Sequence, residues 1–372
     1  MHDGLYKAWR VLTMNPHEPE IYEAGILVQN DRIVALDRFA VLRGTGPVYD
    51  LGRVTLCPGL INAHTHLGMS HLQGQIPKGL GFKAWADRIF SLRHQPFNEF
   101  FLFQNVEAMR TKGLAVLTDI VGGHGEQIRA ILGDSGLTGF FFYELSGQCK
   151  GNLTQKVLPD KSSLAVHALY SIDPEYARQI KAWCHSTNRP FSLHLAEVPG
   201  ENELFIDGKG EFADFLRFRK ILPKSFVAPG TSVVSFAQSL GLLDPKTLAV
   251  HCVQVSETDL GFLADSGASV CLCPRSNTWI GVGEPQALAM YQANIPLCLG
   301  TDSLGSNESL NLWAELAVVQ QLLPKSLTLP DLLALITINP AKVLGLEKDF
   351  GILAVGQTAL WAVVPKPWAD MH

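Results

Sequence analysis

The chain has 372 residues, 47% of them hydrophobic and 17% charged, so it can bury a large core and is not expected to be disordered. Its formal net charge of -5, without a long run of one sign, argues against nucleic acid or an anionic membrane surface as a partner. It contains no apolar run of about 18 residues and no apolar signal core at its start, so we expect a cytoplasmic protein without a transmembrane helix. The seven cysteines form no CxxC pair and mostly lie in apolar runs, which predicts reduced, buried thiols.

The two ends of the chain predict a small β-structure. Residues 1–55 contain "AGILVQNDRIVALDR", which indicates two short strands joined by an Asn-Asp turn, as in a hairpin. Residues 346–372 contain "FGILAVGQTALWAVVP", which has the same character. We therefore expect the two ends to pair in a small β-sandwich beside the main body.

Residues 56–345 show a repeating pattern in which a short apolar run ends in a polar residue or a glycine-rich turn and is followed by a helical stretch. Continuous apolar runs that alternate with helices are typical of a parallel sheet. Eight such runs predict an α/β fold, a (β/α)8 barrel of the TIM type. The runs are "TLCPGLINAHTH", "LAVLTDIVGG", "TGFFFYELSG", "SLAVHALYS", "PFSLHLAE", "TLAVHCVQV", "SVCLCPRSN" and "IPLCLGTDS". The link from Glu197 to Leu248 is the longest, and its "DGKGEFADFLRF" predicts a loop and helix over the site.

Polar residues stand at the ends of these eight runs. In such barrels the carboxyl ends of the strands carry the active site, so these side chains should converge. Five of the 12 histidines are among them. Histidines with unrelated structural roles in the core would not be expected to concentrate at the strand ends in this way. In chain order the residues are His64, His66, Asp119, Glu144, His167, His194, Glu197, His251, Arg275 and Asp302.

Imidazoles and a carboxylate at one edge of a barrel suit a divalent ion such as zinc, or alternatively ferrous iron. His64 and His66 are two residues apart on a strand and share a face, His194 supplies a third nitrogen, and Asp302 is a plausible fourth ligand. Such a site lowers the pKa of a bound water to about 7. Glu197 follows His194 by three residues and could move protons, and His251 could orient the water.

The motifs "PGLINAHTH", "HLAE", "VHC" and "GTDS", in this order, resemble the amidohydrolase superfamily, in its branch of adenosine- and cytosine-like deaminases and chlorohydrolases. The resemblance covers essentially the whole chain. It implies one metal on His64, His66, His194 and Asp302, with Glu197 as proton shuttle and His251 as the residue that assists the water. Binuclear members often carry a carboxylated lysine at the fourth strand. This chain has His167 there, which favours one metal and implies a substrate contact.

A narrower resemblance is to the aminodeoxyfutalosine deaminases of the alternative menaquinone pathway. It rests on "AHTHLGMSHLQGQIPKGLGFKAWADRIFSLR", "HLAEVPGENELF", "CPRSN" and "GTDSLGSNESL". That family often has Glu where this chain has Gly68. The resemblance implies hydrolytic deamination of 6-amino-6-deoxyfutalosine to futalosine and ammonia. The alternatives are deamination of adenosine, methylthioadenosine, S-adenosylhomocysteine or a pterin, and dechlorination of a triazine. A scaffold without activity would be expected to lack ligands, and every ligand position is filled.

Several polar residues near the strand ends have two interpretations. Arg275 could pair with a substrate carboxylate or form a structural bridge. Ser303 and Asn307 could contact the ligand or cap the next helix. We expect a small purine nucleoside as substrate and leave a homodimer open. Phe82 and Trp85 could line a loop over the substrate or pack in the core. His71, His94 and His124 are interpreted as surface or loop histidines, one of which could reach the site.

Overall fold

The computed structural model describes residues 1–92, 94–148 and 153–369. In these residues the strands are β1 Gly4–Leu12, β2 Glu20–Gln29, β3 Arg32–Arg38, β4 Val48–Asp50, β5 Thr55–Pro58, β6 Leu60–Thr65, β7 Leu114–Val121, β8 Thr138–Leu145, β9 Ser162–Ala168, β10 Phe191–Leu195, β11 Thr247–His251, β12 Ser269–Leu272, β13 Leu297–Leu299 and β14 Trp361–Val363.

The α-helices are α1 Phe39–Leu42, α2 Phe82–Leu92, α3 Glu99–Arg110, α4 Gly125–Asp134, α5 Pro174–Ser186, α6 Glu201–Asp207, α7 Glu211–Phe218, α8 Val233–Ser239, α9 Glu257–Ser266, α10 Pro274–Ile280, α11 Ala287–Gln292, α12 Leu312–Leu322, α13 Leu329–Ala334, α14 Ile338–Leu344 and α15 Lys366–Ala369. Short 3-10 helices occupy Leu67–Leu72, Leu153–Gln155 and Leu169–Ser171.

Strands β6 to β13 form one parallel sheet of eight strands in sequence order, which confirms the predicted barrel. Every residue of β6, β10 and β11 is buried. Strands covered on both faces need apolar residues throughout, which explains why the runs are continuous rather than alternating. Because all eight strands run parallel, their carboxyl ends lie at one rim of the barrel.

The first and last strands of this sheet meet and nearly close the barrel. The backbone N–H groups of Thr301 and Asp302 both donate to the carbonyl oxygen of His64, at 3.1 Å each. Gly300 permits this approach, because a Cβ atom there would lie 2.7 Å from the Cβ of His64 and 2.9 Å from the sulfur of Cys271. The barrel therefore closes directly beside two of the predicted metal ligands.

The two ends of the chain form a second sheet, in the order β14-β5-β1-β2-β3, with β4 also paired to β1. Hairpin β2–β3 turns at Asn30 and Asp31, whose φ angles of 50° and 57° are typical of a type I′ turn, as predicted. The first predicted barrel run is divided at Gly59: Thr55–Pro58 pairs with β1 and β14, and only Leu60–Thr65 enters the barrel.

The described cysteines are all buried and unpaired, as expected for reduced thiols in a core, and Cys149 lies outside the described residues. Within residues 1–92, 94–148 and 153–369, no helix combines the length and apolar character that crossing a membrane would require.

Helix α10 begins and ends at residues that suit their positions. Pro274 occupies the first turn, where its missing N–H costs no hydrogen bond, and Gly281 ends the helix in the left-handed region at φ 90°. These limits place the third and fourth residues of the "PRSN" segment, Ser276 and Asn277, at the rim of the barrel, beside the ends of β13 and β11.

Candidate active site

Three histidines bring their ring nitrogens together at the carboxyl rim. Nε2 of His66 lies 3.1 Å from Nε2 of His64 and 3.3 Å from Nε2 of His194. Oδ1 of Asp302 lies 3.6 Å from Nε2 of His64 and 3.5 Å from Nε2 of His66. The four predicted metal ligands are therefore neighbours, although they come from three different strands and span the whole barrel.

The donor set fits a divalent ion. Nitrogen ligands about 2.0–2.1 Å from one tetrahedral ion lie roughly 3.3 Å from each other, close to the spacing found here. Burial lowers the pKa of His64 to about 4, and it also lowers the pKa of His66 and His194. Burial would raise the pKa of Asp302, but the hydrogen bond with His64 and the facing imidazoles hold it well below its usual range. Neutral imidazoles and an ionised carboxylate are the forms that bind a metal.

His194 is held in one tautomer by the backbone. Its Nδ1–H donates to the carbonyl oxygen of His167 at 2.8 Å, which leaves Nε2 without a proton and pointed at His66. A backbone carbonyl that accepts the other ring N–H fixes both the orientation and the tautomer of a ligating histidine. The carboxyl of Glu144 lies 3.6 Å from the same Nδ1 and is a further partner on this side.

Helix α10 orients both Asp302 and His251. The hydroxyl of Ser276 donates to Oδ2 of Asp302 at 2.5 Å, and Ser306 donates to the same oxygen at 2.8 Å. The next residue, Asn277, accepts the Nδ1–H of His251 at 2.9 Å. Nε2 of His251 is then an acceptor, and it lies 3.7 Å from Oε1 of Glu197. The role of Ser276 was missed from the sequence, although it stands inside the "CPRSN" motif.

Glu197 is buried at the rim, with only 8% of its surface exposed. Burial raises its pKa to about 7; the charge of His194 opposes the rise and that of Asp302 adds to it. A carboxyl group with a pKa near neutrality can both accept and donate a proton at physiological pH. The structure thus places Glu197, the predicted proton shuttle, next to His251 and near the four predicted metal ligands.

Glu201, four residues after Glu197, holds the turn that carries it. Oε2 of Glu201 accepts the backbone N–H groups of Glu197 and Val198, at 2.9 and 3.4 Å. The turn is tight, because Ala196 has a φ of 50°. The sequence analysis overlooked Glu201; the signal available was a second glutamate in the same short segment, "HLAEVPGE".

Backbone strain is concentrated at this rim. His251, Cys252 and Asp302 have positive φ angles of 74°, 48° and 55°, a region that residues other than glycine rarely adopt. Strained residues of this kind persist where the surrounding structure fixes them, and they cluster at active sites. Two of these three residues are predicted members of the site.

A cavity of about 480 Å³ opens beside the predicted metal ligands His66, His194 and Asp302, which are part of its lining. Its base contains the titratable residues His66, Glu144, His167, Tyr170, His194, Glu197, His251 and Asp302. Its walls are mainly apolar and come from α2, α7 and the segments after β6 and β7. Phe82 and Trp85 belong to these walls, and so do Phe215 and Leu216 from the long link that was expected to cover the site.

The predicted substrate residues separate into two groups. His167 lines the cavity, and its Nδ1 lies 2.8 Å from the hydroxyl of Ser171. Arg275, Ser303 and Asn307 are not among the cavity-lining residues.

The side chain of Arg275 is held by ion pairs with two glutamates. Its guanidinium faces Glu308 at 3.3 Å and the fully buried Glu315 at 3.8 Å. Asn307 donates to Glu315 at 2.8 Å, and Ser303 contacts Ser306 at 3.1 Å. These contacts favour the structural-bridge interpretation of Arg275 over the substrate-ligand interpretation. Asn307 shares Glu315 with Arg275, whereas Ser303 pairs with Ser306, which also bonds to Asp302.

Asp119 has a structural role at the end of β7. Its Oδ1 accepts the backbone N–H of Leu67 at 2.7 Å, which fixes the chain directly after His66. The carboxyl is fully buried, and burial raises its pKa to about 8, with the hydrogen bond from Leu67 opposing the rise.

Comparison with known proteins identifies the family. The amidohydrolase family matches residues 55–371, and the chain belongs to it. Curated relatives include the 5-methylthioadenosine/S-adenosylhomocysteine deaminases of Clostridium tetani and Pyrococcus abyssi, which are 26% and 25% identical to this chain. These alignments cover 92% and 95% of this chain and 80% and 83% of those proteins.

Solved structures with the same fold include three enzymes. Helicobacter pylori aminofutalosine deaminase in complex with methylthio-coformycin has a TM-score of 0.79 at 21% identity, covering 95% of this chain and 90% of that one. An adenosine deaminase from Xanthomonas campestris with bound zinc has a TM-score of 0.78 at 22% identity, covering 96% and 83%. Atrazine chlorohydrolase TrzN from Arthrobacter aurescens with zinc has 0.77 at 18%, covering 95% and 85%. At these identities the similarity establishes the fold.

The family and its deaminase relatives make this protein a hydrolase of the class that acts on carbon–nitrogen bonds.

Proposed function

We propose that the protein is a metal-dependent deaminase that removes the 6-amino group of an adenine nucleoside as ammonia. The observation that carries the proposal is the cluster of His64, His66, His194 and Asp302 beside the buried Glu197, at the base of a largely apolar cavity. The four residues would hold one divalent ion. We expect zinc, because similar structures contain it. When bound, the ion supplies a Lewis acid that activates water for attack on the purine ring.

Glu197 and His251 would handle the protons. Glu197, with a pKa of about 7, takes a proton from the attacking water and returns it to a ring nitrogen of the purine. His251 donates its Nδ1–H to Asn277, so its Nε2 is free to accept a hydrogen bond from the same water. The carbon–oxygen bond would form as a ring nitrogen gains the proton taken from the water. Transfer of the remaining hydroxyl proton to the amino group would then let the carbon–nitrogen bond break, so that ammonia leaves and the ring carbonyl forms.

His167 would contact the purine. The hydroxyl of Ser171 donates its one hydrogen to the carbonyl oxygen of Ala168 at 2.9 Å, so it can only accept from Nδ1–H of His167. Nε2 of His167 is therefore an acceptor on the cavity wall. The exocyclic amino group and the protonated ring of the nucleoside both offer donors to such a nitrogen.

The apolar walls favour a nucleoside with a large apolar 5′ substituent. The lining includes the large apolar side chains of Phe82, Trp85, Phe90, Leu216 and Ile221. The narrower sequence resemblance makes 6-amino-6-deoxyfutalosine, an intermediate of menaquinone biosynthesis, the first candidate. Methylthioadenosine is the second, because the curated relatives at 25–26% identity are deaminases of that nucleoside and of S-adenosylhomocysteine.

Ammonia release from a panel of compounds tests the proposal. The zinc-loaded protein would be assayed with 6-amino-6-deoxyfutalosine, methylthioadenosine, S-adenosylhomocysteine and adenosine. A pterin and a chlorotriazine serve as non-nucleoside controls, and chloride release is measured for the chlorotriazine. We expect kcat/KM to be higher for the nucleosides with a large 5′ substituent than for adenosine. Hydrolysis of the chlorotriazine or the pterin with no turnover of any nucleoside would refute the proposal.

A further inference from the structure

Glu315 of α12 is a fully buried carboxyl group that the proposed mechanism does not use. Its Oε2 accepts the backbone N–H of Arg275 at 3.1 Å, and its Oε1 accepts a side-chain N–H of Asn307 at 2.8 Å. The same nitrogen of Asn307 also donates to the carbonyl oxygen of Thr301 at 3.0 Å. The guanidinium of Arg275 lies 3.8 Å from Oε1. One carboxyl group from a distant helix thus joins two segments of the rim.

The first of these segments is the start of α10, which Glu315 caps from outside the helix. A helix leaves its first backbone N–H groups without an intrahelical partner. The N-cap residue of α10, Cys273, makes no capping hydrogen bond with its side chain, and Pro274 has no backbone N–H. Glu315 therefore supplies the acceptor for the next N–H, that of Arg275, and fixes the first turn of α10.

The two residues that follow Arg275 in this turn orient proposed members of the active site. The hydroxyl of Ser276 donates to Oδ2 of Asp302 at 2.5 Å, and the side chain of Asn277 accepts the Nδ1–H of His251 at 2.9 Å. A shift of the turn would move both contacts together. A misplacement of about 1 Å at a reacting group can lower the rate about 100-fold, so the chemistry depends on the position of this turn.

The second segment is the loop after β13, which carries Asp302 itself. Asn307 ties the carbonyl of Thr301, the residue before Asp302, to the carboxyl of Glu315. Ser306, the neighbour of Asn307, donates to Oδ2 of Asp302 at 2.8 Å. Asp302 has a positive φ of 55°, a conformation that persists only where the surrounding structure fixes it. The network from Glu315 therefore supports both the backbone and the carboxylate of Asp302.

We propose that Glu315 is a positioning residue, which holds Asp302 in place for the metal and His251 in place for the water. The three groups around its carboxyl are all donors: a backbone N–H, an amide N–H and a guanidinium. Burial raises the pKa of Glu315 to about 8, and the hydrogen bonds from Asn307 and Arg275 oppose this rise and favour the ionised form. The inference rests on the proposed function, because it concerns how that site keeps its geometry.

Zinc affinity measures the position of Asp302 without turnover. Zinc would be titrated in competition with a chromogenic chelator into the wild-type protein, Glu315→Gln, Ser276→Ala and the double variant. Glutamine has one acceptor oxygen, so its NH2 group would face a donor at Arg275 or at Asn307. We expect each single variant to bind zinc about 10- to 100-fold more weakly, as for other groups that orient a metal ligand. The double variant should lose less than the product of the single losses, because both residues act on Asp302 through one turn.

Turnover measures the position of His251. At saturating zinc, Glu315→Gln should lower kcat about 3- to 10-fold, the equivalent of one orienting hydrogen bond, with KM within about 2-fold of the wild-type value. The reason is that the network orients the water and a metal ligand rather than the purine. When Asn277 is already replaced by Leu, adding Glu315→Gln should lower kcat by less than about 2-fold more, because the path to His251 is already broken.

Asp244→Asn is the control for a loss of stability alone. Asp244 accepts Nζ of the buried Lys181 at 2.7 Å and precedes β11, at the opposite end of that strand from His251. We expect this variant to unfold more easily and to keep the wild-type zinc affinity and kcat. Unfolding in denaturant would be measured for all variants, so that Glu315→Gln and Asp244→Asn are compared at known stabilities.

Three results would overturn the role of Glu315. They are wild-type zinc affinity and kcat in Glu315→Gln, equal changes of both quantities in Asp244→Asn, or fully multiplicative losses in both double variants. If Glu315→Gln does not fold, Asn307→Ala provides the test, since it breaks only the link to Thr301. We expect it to weaken zinc binding about 3- to 10-fold, and an unchanged affinity would refute the proposal.

Failure of the proposed function has a different signature. If the wild-type protein deaminates no adenine nucleoside, that function is wrong. The zinc titrations, which need no substrate, then decide the role of Glu315 toward Asp302 separately: weaker binding in Glu315→Gln but not in Asp244→Asn supports it, and equal binding in all three proteins refutes it.

Discussion

Replacing Glu197 by Gln removes the titratable proton from the site and changes little else. The two side chains have the same shape, and the turn that carries residue 197 is fixed by backbone hydrogen bonds to Glu201, which the substitution leaves in place. The proposed metal ligands His194 and Asp302 keep their hydrogen bonds to the carbonyl of His167 and the hydroxyl of Ser276. Folding and metal binding should therefore be preserved.

The expected loss of turnover follows from the environment of the carboxyl. A group with a pKa of about 7 is close to half ionised at neutral pH, so both its basic and its acidic forms are available in each cycle. An amide offers neither form. A positioned acid–base group contributes about 10²- to 10⁴-fold in rate, which corresponds to about 2.7–5.5 kcal/mol of transition-state stabilisation.

Steady-state ammonia release by Glu197→Gln, measured together with its zinc content and unfolding temperature, provides the assay. Glu203→Gln is the matched control, since Glu203 is exposed on α6 six positions further along. We expect the control to match the wild-type protein. A Glu197→Gln protein that is fully loaded with zinc and retains more than about a tenth of the wild-type kcat would refute the assignment of Glu197 as the proton shuttle.

Substitutions at three further residues test the groups around it. His194→Ala should reduce bound zinc to well below one equivalent per chain by elemental analysis, whereas full occupancy would remove His194 from the ligand set. Asn277→Leu deletes the acceptor that orients His251; kcat should fall about 5- to 150-fold with KM nearly constant, and a change confined to KM would contradict this role. Glu201→Ala leaves two buried N–H groups without a partner and should lower the free energy of unfolding by about 1–3 kcal/mol in denaturant titrations. Glu201→Gln keeps an acceptor oxygen and should be less affected, so equal losses in both variants would contradict the argument.

The sequence was sufficient for the barrel and for the convergence of the site, because both follow from local patterns. Continuous apolar runs indicate strands covered on both faces, and parallel strands bring their carboxyl ends to one rim. For this reason the sequence alone predicts that His64, His194 and Asp302 lie close together. The Asn30–Asp31 turn was equally local, since its φ angles are a property of two adjacent residues.

Contacts between side chains from distant segments could not be predicted in the same way. Arg275 is an example: its position after a strand was compatible with a substrate ligand, and only the three-dimensional arrangement brings Glu315, forty residues later on α12, under its guanidinium. His71 and His124, which both line the cavity, illustrate the converse. Nothing in the local sequence distinguishes His71 and His124 from loop histidines, because their common cavity is created by helix packing.

The seam between β6 and β13 has a consequence for how the protein is made. The backbone N–H of Asp302 donates to the carbonyl oxygen of His64. Asp302, the last of the predicted ligands along the chain, therefore follows the strand that closes the barrel. A growing chain that has not yet reached the eighth strand carries His64, His66 and His194 but lacks the anionic ligand and the closure that positions it. Contacts between residues so far apart in sequence form late in folding. In the proposed metal site, firm retention of a divalent ion is therefore expected only of the completed barrel, and partly synthesised or incompletely folded chains should bind it poorly.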